Sequence, residues 1–459
     1  MQPIEASNEE LTSFKLFDSF NVFFFSRNSN KIPLFLLYSE ENKKLFQQIN
    51  GNVGKDACVM WSICKKLIEK MRGILTIKNA NELSQGSNLS KCCDNLILGC
   101  MEENWVPEKV FTPCCNEICK TLLETPYIYQ DDSDNCVTYF VELPELDTNF
   151  LESILKAQGA NIQFQYFSLN EISDLNNKFI DPSLADLINK NPKLNSYITK
   201  YIVNREKIET IAKYLILICQ PGLKTLQYHT LLASVFKKHG EQWNFYIPSQ
   251  GEYPTENDIR ECKGIIIPGS TVDLSIPEIP DWLEKVIHLL LYAYNECPQV
   301  NLLGLCFGGQ LFCHMLGGKV EKMNCEFIRR GEIIDLKPEF FELPYVKNLG
   351  LNPSEPLVIA EAHQNEMSRL PPGAKLLGTS KSCCCEIFSV GDRILGFQGH
   401  PEYNERFQAG AQYRAKRPDL SNGWAKFEED FCKEAYEKPL TQYNLLKVCY
   451  AFLKKDNVA

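Results

Sequence analysis

The sequence predicts an α/β protein, with a doubly wound parallel α/β domain over residues 209–459 preceded by an α+β domain over residues 1–177. Three observations predict it. The second half alternates apolar strand-like runs with amphipathic helix-like segments. One of those runs passes through Leu303-Gly304-Leu305-Cys306-Phe307-Gly308-Gly309-Gln310 directly into an apolar helix-like stretch. The first half opens on two apolar runs split by the turn-rich Arg27-Asn28-Ser29-Asn30-Lys31.

Taken in order, residues 20–26 and 33–38 read as a hairpin, and Gly51 to Gly54 as a turn. Residues 57–72 read as a helix closing at Gly73. Residues 77–120 fit no element, and the polar run from Asn79 to Asn95 predicts an exposed insertion suited to contacts with protein partners. Strands follow at 135–142 and from Phe164, the latter entering a short helix by Ile172. Residues 178–208 carry Leu184, Leu187 and Ile188 at helical spacing, with Pro182 and Pro192, and predict a helical linker.

In the second half, strands are expected at 214–219, 243–247 and 264–268, with a helix at 228–239. A further helix at 280–295 places Trp282, Val286, Leu289 and Leu290 on its apolar face. The cysteine strand and its helix come next, then hairpin strands near 357–360, 386–390 and 393–397. The 57 residues after Glu402 are expected to form one or two capping helices.

Glycines two residues either side of Cys306 suit a sharp strand-to-helix turn, since side chains there would collide with neighbouring backbone. The first amides of the next helix then face the sulfur and favour a thiolate. A nucleophile needs a base, and the chain has six histidines. His400 stands out, in Gly396-Phe397-Gln398-Gly399-His400-Pro401-Glu402 just past an apolar run. Pro401 restricts the local backbone, so Glu402 can lie beside His400 and orient its imidazole. Gly264-Ile265-Ile266-Ile267-Pro268-Gly269-Ser270 reads as a buried strand running into a tight loop.

These motifs resemble the class I glutamine amidotransferase domain over roughly residues 210–410, a flavodoxin-like α/β fold. Gly304, Leu305, Cys306, Phe307, Gly308 and Gln310 match its nucleophile motif, and Gly396 with Gln398 through Glu402 match its histidine motif. At the variable position Gly309 is expected to loosen the start of the helix. The resemblance implies Cys306 as nucleophile, His400 as base and Glu402 as its orienting acid. It also implies oxyanion-hole amides from Gly269 and Phe307, and Gln310 as a substrate-positioning residue. Leu316-Gly317-Gly318-Lys319-Val320, and His363 with Leu370-Pro371-Pro372-Gly373-Ala374, are similar to other parts of the same family. Gly269-Ser270 followed by Asp273 and Trp282 resembles the stand-alone branch that includes plant γ-glutamyl peptidases.

The layout of residues 1–177 is similar to a Nudix domain. Nudix chemistry needs clustered glutamates on its helix to hold magnesium. Here that stretch is Lys65-Lys66-Leu67-Ile68-Glu69-Lys70-Met71-Arg72-Gly73, with Glu69 its one acid, so a degenerate, non-hydrolytic domain is expected.

Composition excludes several classes. A formal net charge of -10 and no basic stripe argue against nucleic acid or anionic membrane partners. No apolar stretch reaches the roughly 20 residues that span a bilayer. No leader is visible, and twenty cysteines read as reduced thiols, so a cytoplasmic protein is expected. Cys92, Cys93, Cys100, Cys114, Cys115, Cys119 and Cys383-Cys384-Cys385 lack the paired spacing of a zinc ribbon; no metal and no cofactor are expected. Three functions follow: a cysteine hydrolase of small γ-glutamyl amides or peptides, a non-catalytic subunit of a larger assembly, or a glutaminase feeding ammonia to a separate synthetase.

Overall fold

The structure is a computed structural model that describes residues 19–27, 33–40, 48–52, 122–131, 136–142, 162–206, 208, 211–221, 233, 236–324, 328–402 and 442–455. The chain divides into two bodies. The first draws on Lys15–Ile211 and Lys224–Gln242, the second on Ala212–Leu223 and Trp243–Ala459, so the division is not a single cut near residue 208. Residues 236–242 belong to the first body through specific bonds. The buried Lys237 ammonium donates to the Leu123 carbonyl at 2.8 Å, and the Gly240 amide to the Pro126 carbonyl at 2.9 Å.

The first body is built on strands β1 (Ser19–Arg27), β2 (Pro33–Glu40), β3 (Ile49–Asn52), β4 (Ile128–Asp131), β5 (Cys136–Glu142) and β6 (Ile162–Phe167). They form one mixed sheet in the order β4-β5-β1-β2-β6, with β3 paired to β1. Only β1 and β5 run parallel among the registers described. Phe23, Phe25, Phe35, Phe140 and Phe167 point from the sheet into a core, where Phe23 stacks on Phe140 with centroids 5.3 Å apart.

That core corrects the expectation of a linker at 178–208. Helices α1 (Leu169–Ser173), α2 (Pro182–Lys190) and α3 (Pro192–Tyr197) run into a π-helical turn, Ile198–Val203. The Asp181 side chain caps α2 and the Asn191 side chain caps α3, each helix starting on proline. Leu184, Ile188, Leu194, Ile198 and Ile202 are all buried against the phenylalanines. Their helical spacing makes one apolar stripe, which a sheet face covers better than water. The expected helix at 57–72 with Glu69, the 77–120 insertion and the cysteines from Cys92 to Cys119 lie outside the described residues.

The second body has β7 (Ala212–Leu217), β8 (Glu241–Tyr246), β9 (Cys262–Ile267), β10 (Asn301–Leu305), β11 (Lys319–Lys322), β12 (Ile328–Leu336), β13 (Leu357–His363), β14 (Asn365–Arg369), β15 (Ala374–Thr379), β16 (Ile387–Val390) and β17 (Ile394–Phe397). Nine of them make a sheet ordered β13-β12-β15-β16-β17-β10-β9-β7-β8. In one half, β8-β7-β9-β10-β17 has the 2-1-3-4-5 order of a flavodoxin-like doubly wound sheet. β7, β9, β10 and β17 are parallel neighbours there, while β12, β13, β15 and β16 extend the sheet antiparallel. The result is a mixed α/β sheet.

Helices α4 (Glu256–Glu261), α5 (Asp281–Glu296), α6 (Phe307–Met315) and α7 (Gln442–Lys454) flank this sheet. Leu283, Val286, Leu290 and Ala293 form one stripe of α5 in a core with Ile265, Ile267, Leu302 and Phe312. On α7, Leu445, Val448, Cys449, Phe452 and Leu453 are buried, and Leu453 packs over Gly264 of β9. This helix falls within the segment expected to cap the domain. Among the described residues, no helix is long and apolar enough to cross a membrane.

The start of α4 carries a capping box. Thr255 Oγ1 accepts from the Asp258 amide at 3.1 Å, and Asp258 Oδ2 accepts from the Thr255 amide at 2.8 Å. Burial opposes ionisation of Asp258, but the Thr255 hydrogen bonds outweigh it and hold the carboxyl below its usual range. Thr255→Ala should cost about 1 kcal/mol in urea unfolding followed by circular dichroism. The Asp258 contribution is present above the ordinary carboxyl range and is lost as pH falls through the lowered value.

Candidate active site

The candidate site lies at the carboxyl ends of β9, β10 and β17, three adjacent parallel strands. Cys306 follows β10 and is the N-cap residue of α6, with φ 51° and ψ -109°. Positive φ in a non-glycine residue is strained by about 1–3 kcal/mol, and bonds on both sides hold this one. The Cys306 amide donates to the Phe397 carbonyl at 2.9 Å, and its carbonyl accepts from the Gln310 amide at 3.0 Å. Phe307 opens α6, so its amide has no intrahelical acceptor and faces the same end of the strand as the thiol.

Gly309 lies inside α6, where its lack of a side chain serves a close approach that propensity does not show. A methyl group there would lie 2.5 Å from the Phe397 carbonyl oxygen, so α6 and β17 approach each other through this residue. Gly308 approaches the end of β9 more closely still.

His400 and Glu402 leave the end of β17 together. His400 Nδ1 lies 2.8 Å from Glu402 Oε1, and the two side chains are 4 % and 5 % exposed. The His400 amide donates to the Ala360 carbonyl at 2.8 Å, anchoring the turn to β13. The imidazole then reaches over the sheet edge, because its Cε1 would be 2.8 Å from a methyl on Gly269, beyond β9. β10 lies between β9 and β17, so the ring crosses the strand end that carries Cys306. Nδ1 is the ring nitrogen that faces Glu402.

Residues 226–414 match the family model for glutamine amidotransferase class-I. γ-Glutamyl peptidase 4 of Arabidopsis thaliana is 32% identical over 258 residues, covering 53% of this chain and 96% of the relative. The chain belongs to the class-I glutamine amidotransferase family. γ-Glutamyl peptidase 2 of the same plant is 34% identical over 179 residues, 39% of this chain and 68% of the relative. A glutamine amidotransferase of Thermotoga maritima of known structure aligns with 54% of this chain and 100% of its own, at 17% identity and a TM-score of 0.38.

Within this class-I amidotransferase domain, Gln310 is buried and its amide group is committed to the protein. Nε2 donates to the Asn365 carbonyl at 2.9 Å and to Gln398 Oε1 at 3.3 Å. Gln310 thus ties α6 to β14 and to the histidine turn. Sequence reasoning missed Asn365 and named Gln398 only as part of the histidine motif; the fold alone sets both beside Gln310. Asn365 Nδ2 donates to Asp273 Oδ1 at 2.8 Å, and the same oxygen accepts from the Ser275 amide at 2.9 Å. Burial opposes ionisation of Asp273, yet the Ser275 and Asn365 hydrogen bonds and Lys322 hold its carboxyl below the usual range. Gln220, after β7, clamps the Gly269 loop: its amide nitrogen donates to Thr271 Oγ1 and its oxygen accepts from the Thr271 amide, each at 2.8 Å.

The described cysteines are all free thiols. Burial pushes the Cys385 thiol well above its ordinary value, as it does Cys449. Among the described residues, no group of three or more His, Cys, Asp or Glu is arranged to hold a metal ion.

Proposed function

We propose that this chain is a cysteine-dependent hydrolase of γ-glutamyl amides or peptides that works through a thioester. One observation carries the reading: the buried His400–Glu402 pair extends across the end of β10, where Cys306 is held at positive φ. Similarity to two γ-glutamyl peptidases at 32% and 34% identity supports the hydrolase class.

In this reading Cys306 Sγ attacks the γ-carbonyl carbon while His400 Nε2 takes the thiol proton. The amides of Gly269 and Phe307 receive the developing oxyanion, a contribution of about 3–4 kcal/mol for each donor lost. The tetrahedral adduct collapses, His400 returns the proton to the leaving nitrogen, and a γ-glutamyl thioester remains on Cys306. Water then gives its proton to His400, attacks the thioester carbon and expels the sulfur, which recovers the proton. Glu402 keeps Nδ1 protonated and offsets the imidazolium charge. Gln310 acts here by holding β14 and the histidine turn around the substrate.

The test is labelling with a glutamine-like diazo-ketone, followed by hydrolysis assays on glutamine, glutathione and other γ-glutamyl compounds. Alkylation at Cys306 together with release of glutamate supports the reading. A protein that neither labels nor turns over any of them would sink it. Glu402→Gln is expected to lower kcat by about 10²–10⁴ with KM little changed, because an amide there no longer fixes the Nδ1–H tautomer. Steady-state kinetics check that split.

A further inference from the structure

The two amides proposed to receive the oxyanion come from different elements. Phe307 opens α6, whereas Gly269 lies in the loop that leaves the sheet after β9. Their spacing therefore depends on what ties that loop to α6. On one side the loop is bonded to the end of β7: Gln220 holds Thr271, and the Ser270 hydroxyl donates to the Cys219 carbonyl. On the other side it reaches α6 through Asp273 and Asn365. Asp273 Oδ1 accepts from the Ser275 amide at 2.9 Å, the Ser275 hydroxyl at 2.6 Å and Asn365 Nδ2 at 2.8 Å. Lys322, the cross-strand neighbour of Asn365 on β11, places Nζ 3.6 Å from Asp273 Oδ2.

Asn365 opens β14 and is 8% exposed. Its backbone carbonyl accepts from Gln310 Nε2 at 2.9 Å and lies 2.9 Å from His363 Nδ1. Gln310 sits one helical turn after Cys306, and its own amide donates to the Cys306 carbonyl at 3.0 Å. A continuous path thus runs from the Gly269 loop through Asp273, Asn365 and Gln310 to Cys306. The amide groups along it have one assignment each. The Asn365 carbonyl only accepts, so Gln310 turns its nitrogen toward it; the Asp273 carboxylate only accepts, so Asn365 turns its side-chain nitrogen toward Asp273. Asn365 Oδ1 is then buried without a hydrogen-bond partner among the described residues. An unpaired buried acceptor costs stability, and the contact with Asp273 is kept at that cost. Hydrogen bonds to a charged oxygen are roughly twice as strong as neutral ones, which suits Asp273 Oδ1 to hold three donors.

We propose that Asp273, acting through Asn365, is a positioning residue that sets the spacing between the Gly269 and Phe307 amides. The role rests on those two amides receiving the oxyanion. Donors of that kind act fully only when held within about 0.5 Å of the productive geometry. The ladder bonds that fix β9 end at Ile267, so the loop beyond it depends on its side-chain anchors. Without the contact to Asn365 the loop relaxes away from α6. The oxyanion then loses one donor while substrate still binds.

Two measurements on the full chain test this role. Steady-state hydrolysis of a γ-glutamyl substrate gives kcat and KM. Inactivation by the glutamine-like diazo-ketone, whose ketone oxygen is directed to the same two amides, gives a maximal rate and a half-saturating concentration without turnover. Asp273→Ala should lower kcat and the maximal inactivation rate at least about tenfold each, with KM and the half-saturating concentration kept within about twofold. Asp273→Asn, which keeps an oxygen for Ser275 and Asn365, should recover most of both losses. Unchanged rates in Asp273→Ala overturn the proposal, and so does a loss that falls on KM and the half-saturating concentration instead. Should that variant fail to fold, Asn365→Asp decides: it keeps the side-chain size but sets two carboxylates against each other, and unchanged rates there overturn the proposal. A wild type that is labelled but hydrolyses nothing sinks the hydrolase reading alone, because the inactivation rates still report on Asp273. A wild type that is not labelled overturns both.

Discussion

Cys306→Ala is expected to lower γ-glutamyl hydrolysis by at least about 10⁴-fold in kcat, with the fold intact and substrate binding largely retained. The substitution removes one sulfur atom and keeps Cβ, so the positive φ at this position is neither relieved nor worsened. The thiol's contact in the structure is weak, 3.9 Å to the Ala362 carbonyl, so little stability leaves with it. In the proposed reaction what is lost is the nucleophile itself, and residual rate would then come only from oriented water and the oxyanion amides. Quantifying released glutamate for both proteins, beside their melting curves, checks the prediction. Activity in Cys306→Ala within tenfold of wild type would mean that the hydrolysis uses another group.

Gly308→Val is expected to destabilise the second body by more than about 4 kcal/mol, a loss that only severe overpacking produces. A Cβ at Gly308 would lie 1.9 Å from the carbonyl oxygen of Ile267 and 2.7 Å from its carbonyl carbon. Those atoms belong to the buried end of β9, a central strand paired to β10 and β7, so they have nowhere to move. α6 would have to lift from the sheet, taking Cys306 with it. Soluble yield and thermal unfolding measure the effect. Gly251→Ala is the comparison: its φ is +84° with open space around it, so only about 1 kcal/mol of backbone strain is expected. Similar melting temperatures for the two variants would refute the close approach at Gly308.

Much of the second body was legible because its elements obey local rules. The runs through Ile265 to Ile267 and Leu302 to Leu305 are continuously apolar, as strands covered on both faces must be. Cys306 and His400 were legible for a related reason: a tight turn leaves few choices of residue, and Gly-x-Cys-x-Gly or Gly-His-Pro-Glu records those choices. Other features were read the wrong way. Residues 182–203 combine lysines and asparagines with a thin apolar stripe, which looks like a solvated linker until a phenylalanine-lined sheet face covers it. Gly309 reads as a helix weakener when propensity alone is applied, since the nearby Phe397 backbone is 88 residues away in sequence. The contact between Asp273 and Asn365 gives no local signal at all, because its partners are 92 residues apart.

By itself the sequence determined the strand and helix periods of the second body, the sharp turn at Cys306 and the adjacency of His400 and Glu402. Each depends on backbone sterics and side-chain patterning within a few residues. Only the tertiary structure decided that β10 lies between β9 and β17, so that the His400 ring crosses the end of the cysteine strand toward Gly269. It alone decided that Gln310 is bonded to Asn365 and Gln398, and that Asn365 is bonded to Asp273. Those arrangements depend on strand order and register, which are selected by the joint burial of faces distant in sequence.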